Sequence, residues 1–242
     1  MDMGALILMN TATQPTLTHF KSMQIEAMQI DTKLLTLTQW LSPAFPLGSF
    51  AYSHGLEQAV RSGWVRSDDD LLEWLRDIAR FGSGHADAIW MRLAFAAKDE
   101  AEIAILNSQC RAYAPCLERL REAERQGHAF AQTASKTWDI RLPSLQLPIA
   151  LGWAAHQTQL SIDMLVTLYL QAFLSNLVAT AQRLMPLGQN AAQAVVAQLN
   201  LICAEIAADT THKGLEDISS SAFLSDIAAM RHETLQPRIF QS

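Results

Sequence analysis

From Leu34 onward apolar residues recur every three or four positions, the spacing that lines one face of an α-helix. Leu34, Leu35, Leu37, Trp40 and Leu41 predict a short helix that stops near Ser42, because Pro43 disfavours a helical residue before it. Pro43, Pro46 and Gly48 keep 42–50 as a loop. Tyr52 to Ser62 reads as a second helix capped by Gly63. Ser67, then Asp68, Asp69 and Asp70, marks a helix start whose acidic residues suit the positive end of the helix dipole. Leu71, Leu72, Leu75, Ile78, Ala79 and Phe81 continue that helix.

Gly82 and Gly84 predict a break before a helix from His85 to about Ala97. Asp99 with Glu102 has the form of a capping box for a helix over 100–112. Pro115 opens a segment running through Leu117, Leu120 and Ala123 to about Lys136. Pro143 and Pro148 bracket a loop before a short helix, Ile149 to Gln157. Ser161 and Asp163 cap a long helix that stops before Pro186, and 190–208 and 219–232 complete the set. The final helix carries Phe223, Leu224, Ile227 and Met230 as its apolar, core-facing stripe, which leaves Arg231 and Arg238 solvated. Neither hairpin dipeptides nor period-two runs predict a strand. The reading is all-α: a single bundle-like domain of about ten helices over 34–242, without internal repeats. Residues 1–33 hold Met1, Met3, Met9, Met23 and Met28 and a Thr/Gln-rich run without a sustained apolar period. They are expected to form a flexible N-terminal tail, with a start at Met23 or Met28 as the alternative.

Composition narrows the classes. Of 242 residues, 50% are hydrophobic and 17% charged, which excludes a disordered chain. A net charge of −6 argues against nucleic acid as a partner. Cys110, Cys116 and Cys203 form no C-x-x-C pair, so no zinc ribbon or disulfide framework is predicted, and the chain reads as cytoplasmic and reduced. Ile162 to Leu184 is long enough to span a membrane. Thr167, Gln171, Ser175, Asn176, Thr180 and Arg183 place a polar group on nearly every turn, as in the central helix of a soluble bundle, and no membrane partner is expected.

Ordinary catalytic chemistry is missing. None of the seven histidines makes H-x-x-x-H or H-E-x-x-H, so no metal site is predicted. There is no G-x-S-x-G elbow and no phosphate loop, hence no catalytic residue and no cofactor. Three clusters stand out instead. The first runs from Ser42-Pro43-Ala44 through Gly48-Ser49-Phe50 to Tyr52-Ser53-His54-Gly55-Leu56-Glu57. The second is Arg183-Leu184-Met185-Pro186-Leu187-Gly188-Gln189. The third runs from Asp226 through Met230-Arg231-His232-Glu233-Thr234 and is followed by Arg238-Ile239-Phe240-Gln241-Ser242.

In this order the clusters resemble the F-type urease accessory protein family (UreF), whose members carry S-P-A-x-P-x-G-x-F-x-Y-S-H-G-L-E, R-L-x-P-L-G-Q and M-R-H-E-T-x-x-x-R-x-F. The resemblance spans about Leu34 to Ser242. Ser49 stands where the family usually has a second glycine, and Gln241 where it usually has an arginine. The resemblance implies an all-helical, non-catalytic chaperone or scaffold for nickel insertion into urease. It further implies a homodimer that binds the D/H-type accessory protein and recruits the nickel-carrying GTPase accessory protein to apo-urease. Tyr52, His54, Gly55, Glu57, Arg183, Gly188 and Gln189 match family positions. Arg231, His232, Glu233, Thr234, Arg238 and Phe240 are the candidates for docking the D/H-type partner, on a terminal run expected to order on binding. The rival reading is a small helical enzyme of the thiaminase-like or haem-oxygenase-like kind, using one of the cysteines as nucleophile or an axial histidine.

Overall fold

The computed structural model describes residues 32–242. The chain divides into two units, Met1–Thr36 and Leu37–Ser242. Of the first, only the opening of a helix over 32–40 (α1) is described, so the tail expected over 1–33 lies almost wholly outside the described residues. The second unit continues with α2 (Leu56–Arg61), α3 (Asp68–Phe81), α4 (Ser83–Ala96), α5 (Glu100–Ala112), α6 (Leu117–Trp138) and α7 (Leu147–Gln157). It ends with α8 (Ile162–Leu184), α9 (Gln189–Asp209) and α10 (Phe223–His232). Among the described residues there is no strand. The fold is all-α.

Side-chain caps set several helix starts. Ser67 Oγ accepts the Asp70 N–H at 3.1 Å, and the Asp70 carboxylate accepts the N–H of Ser67 in return. Each bond replaces a carbonyl that the first helical turn lacks. At α5 Asp99 accepts the Glu102 N–H at 2.9 Å, but Glu102 reaches back one residue further, to the Lys98 N–H. Ser161 caps α8 through the Met164 N–H.

Two boundaries differ from expectation. α2 starts at Leu56, not Tyr52, because His54 (φ 57°) and Gly55 (φ 78°) are both left-handed, a conformation no α-helix contains. A Cβ on Gly55 would also lie 2.8 Å from the Ala229 backbone nitrogen, so α10 crosses there because residue 55 has no side chain. Pro148 sits inside the first turn of α7 rather than in the preceding loop, where its missing N–H costs nothing.

The centre of the bundle is α7, buried at every residue from Leu147 to Ala155. It packs on α4, α5, α6 and α8. A Cβ on Gly152 would stand 2.2 Å from the Met91 carbonyl oxygen, so α4 and α7 meet backbone to backbone. α3, α8 and α9 pack together on one side of this centre, while α10 rests on α2 and α6 on another. Trp40 joins α1 to α6 through edge-on contacts with Phe130 (5.1 Å) and Trp138 (5.5 Å). α8 and α9 are both long and apolar enough to cross a membrane, with mean hydropathy 1.5. They pack on each other and on α3, α8 also meets α2, α4 and α7, and Gln193, Gln198, Asn200 and Glu205 lie along the exposed face of α9.

α10 is the clearest correction. Its supposed inner stripe faces outward: Phe223 is 68% exposed, Leu224 58%, Ile227 38% and Met230 48%. Ser225, Ala228, Ala229 and His232 are buried instead. The close crossing at Gly55 admits only small side chains, and His232 enters because it has charged partners there.

Candidate functional site

The first and third motifs meet around Glu57, which is buried on α2. Its Oε1 accepts the Ile239 N–H at 2.8 Å, and its Oε2 accepts the Phe240 N–H at 2.9 Å. The same Oε2 lies 3.2 Å from His232 Nε2. His232 is fully buried, and its Nδ1 faces Glu118 Oε2 at 2.7 Å. Both ring nitrogens thus face carboxylate oxygens. Arg238 completes the array by donating to the other oxygen of Glu118 at 2.5 Å. Charge-assisted bonds of this kind are about twice as strong as neutral ones.

The following residues lie back along the first motif. The Gln241 N–H donates to the Ala51 carbonyl, and the Ser53 N–H donates to the Ser242 carbonyl, both at 2.8 Å. Ser53 Oγ also donates to that carbonyl. Phe240, buried, lies 4.3 Å beneath the Arg183 guanidinium, which donates to the Phe50 carbonyl. Arg183 thus ties the second motif to the other two. Gln241 accepts from Arg125 at 2.9 Å, so the residue standing in place of the family arginine faces a cation of this chain. Ser49 needs no glycine conformation, since the left-handed residue of that turn is Gly48 (φ 70°).

The terminal run is therefore ordered in the isolated chain, against the expectation that it orders on binding. Every backbone donor just named has an acceptor within the domain. The expected solvation of both arginines holds for Arg231, which is exposed with its guanidinium 5.5 Å over Trp64. Arg238 is exposed as well, with its guanidinium paired to Glu118. Glu233 is exposed, and its carboxylate caps α6 by accepting the Leu117 N–H at 2.9 Å. Thr234 is exposed. Gly188 and Gln189 lie apart from the cluster, exposed at the start of α9; a Cβ on Gly188 would meet nothing within 4 Å.

A second polar cluster lies deeper. Arg119 pairs with Glu122, which also accepts from Ser242 Oγ at 2.6 Å and from Gln126. The Tyr169 hydroxyl donates to Asp87 Oδ2 at 2.6 Å. Burial pushes the Asp87 carboxyl up to about 6, against the opposing pull of Tyr169 and Arg119. His54 Nε2 lies 2.8 Å from Ser83 Oγ, while burial holds its ring well below 6.5 and hence neutral. None of Ser53, Asp87, Glu118, Arg119, Glu122 or Tyr169 was singled out from the sequence as a site residue. Glu118, Glu122 and Gln126 do share one face of α6 at four-residue spacing, a pattern equally typical of a solvated helix. Burial raises all three thiols, Cys203 to about 11, which is the reverse of nucleophile activation. Among the described residues no group of three His, Cys, Asp or Glu side chains is placed to share a metal ion.

Fold and site define an all-helical bundle whose first and third motifs, with Arg183 of the second, converge on the seating of residues 239–242. The UreF family model matches residues 65–200. A urease accessory protein UreF of Cereibacter sphaeroides is 46% identical over 209 residues, covering 86% of this chain and 98% of that protein. Proteins of the same name from Roseobacter denitrificans (40% identical, 86% and 93% covered) and Ruegeria pomeroyi (38%, 89% and 100%) are similar over the same extent. The chain belongs to the UreF family of urease accessory proteins.

Proposed function

We propose that this protein is a non-catalytic, cytoplasmic scaffold for nickel insertion into urease. It binds the D/H-type accessory protein, forms a homodimer within that complex, and recruits the nickel-carrying GTPase accessory protein to apo-urease. The observation that carries the reading is α10: it turns Phe223, Leu224, Ile227 and Met230 to the outside beside the exposed Arg231. Outward apolar stripes with an arginine at the edge suit a protein partner. Within the terminal motif, Arg231, Thr234 and Arg238 are the residues that reach such a partner. His232, Glu233 and Phe240 serve it by holding the segment in place. Among the family-motif residues, Gly55, Glu57 and Arg183 have the same supporting part.

The test is the double substitution Arg231→Ala with Arg238→Ala, read by pull-down of the D/H-type protein and by a melting curve. Two interface arginines worth about 2 kcal/mol each weaken binding roughly a thousandfold if they add. The melt should fall only slightly, since the Arg238–Glu118 pair is half-exposed. Binding at wild-type strength would remove the terminal motif from the docking site. Loss of the cooperative melt would show that the two arginines hold the fold.

A further inference from the structure

We propose that the chamber under the 42–52 loop is a binding site for a small organic cation, an ammonium or amidinium group on an apolar body, seated against Asp87. The chamber holds about 500 Å³, within the range of small-molecule sites. Pro43, Phe50 and Ala179 are exposed at its mouth. Leu41, Leu47, Leu151, Phe173 and Leu177 contribute to its walls, which favour a carbon body over water. Its ionisable groups other than Tyr52 are gathered at the floor, Asp87, Arg119, Glu122 and Tyr169 beside Gln126.

The floor is short of one positive charge. Glu122 is engaged by Arg119, Gln126 and Ser242. Asp87 receives the Tyr169 hydroxyl on Oδ2 only, and its Oδ1 takes no hydrogen bond from any described residue. Asp87, Glu122 and, from α10, Asp226 all act on one guanidinium, while burial holds the Tyr169 phenol well above its usual range and neutral. Cys110 beside Asp87 is likewise held as the thiol, and His54, which lines the adjoining cleft with both, is neutral. An ammonium or amidinium donates to the free Oδ1 and balances the charge; a neutral ligand does only the first, and an anion neither. A bare divalent ion needs several ligands at once, and the described residues offer no such group.

Calorimetric titration of the full chain with benzamidinium, its neutral isostere benzamide, and benzoate tests this at pH 7.5. Benzamidinium is expected to bind at least tenfold more tightly than benzamide, and benzoate not measurably. In Asp87→Asn, which preserves an acceptor for Tyr169, the two affinities should become equal, with benzamide unchanged. In the wild type the amidinium preference should fade as pH drops through about 6, where Asp87 takes up its proton; this arm decides the matter if the variant fails to fold. Equal affinities in the wild type would reduce the chamber to an apolar void. A preference that survives Asp87→Asn would remove Asp87 as the recognising group, and absence of any binding would overturn the site.

Discussion

α3 and α10 carry similar-looking apolar stripes and use them in opposite ways. α3 buries Leu71, Leu72, Trp74, Leu75, Ile78 and Ala79 against α8 and α9, as its periodicity dictates. α10 buries serine, alanine and histidine, and presents its large apolar residues to the outside. On the α3 side stability comes from area removed from water, about 25 cal/mol per Å². On the α10 side it comes from a few directional bonds to Glu57, Glu118 and Glu122 inside a small-residue crossing. Periodicity reports how apolar a face is. It does not report what the face meets, and here a buried ionic cluster outweighs the stripe.

The sharpest way to break the contrast is Glu57→Ala. It strands the Ile239 and Phe240 N–H groups and leaves His232 with one carboxylate. Removing one partner of a buried pair costs about 3–5 kcal/mol. The melting temperature should fall by more than 10 °C, and the 239 and 240 amides should exchange hydrogen much faster than those of α7. Survival of their protection would show that the segment is held by packing.

A matched pair of truncations measures the two stripes against each other. Leu75→Ala, in the fully buried face of α3, should cost about 3 kcal/mol. Ile227→Ala, on the outward face of α10, should change stability by less than about 0.5 kcal/mol. Chemical denaturation of both variants decides it; equal losses would mean that α10 is packed in solution as its periodicity suggests.

A milder effect than the loss at Glu57 or Leu75 concerns pH on the polar side. Asp87 has its folded pKa raised to about 6 from an ordinary 3.8. Between those values the folded state binds the extra proton, so stability declines as pH rises through the window. The effect amounts to about 1–2 kcal/mol. Asp87→Asn should flatten the stability profile between pH 4 and 6.5 without altering it near pH 3.5. An unchanged slope would assign the decline to other groups.

What the chain disclosed by inspection was local. The helix start at Ser67, the Asp99 cap of α5, the stop at Gly63 and the span of α8 depend on residues a few positions apart. The all-helical class and the family motifs followed from the same reading. The arrangement of the site was hidden because its partners are remote: Glu57 meets residue 240, and Glu118 meets residue 232. Glu118 and Glu122 look like any solvated carboxylates until the fold buries them. The inward turn of α10 was hidden for the same reason, since Gly55 sets it from another part of the chain.

The bond between Ser53 and Ser242 joins positions 189 apart. During synthesis the first motif leaves the ribosome long before its counterpart exists. Ser53, Gly55 and Glu57 must then wait, unsatisfied, until the last residues named here have emerged. Loops of that length make closure slow, and the nascent bundle spends the interval with its polar seat empty. The polar seat around Glu57 is therefore completed only after His232, Phe240 and Ser242 have been made.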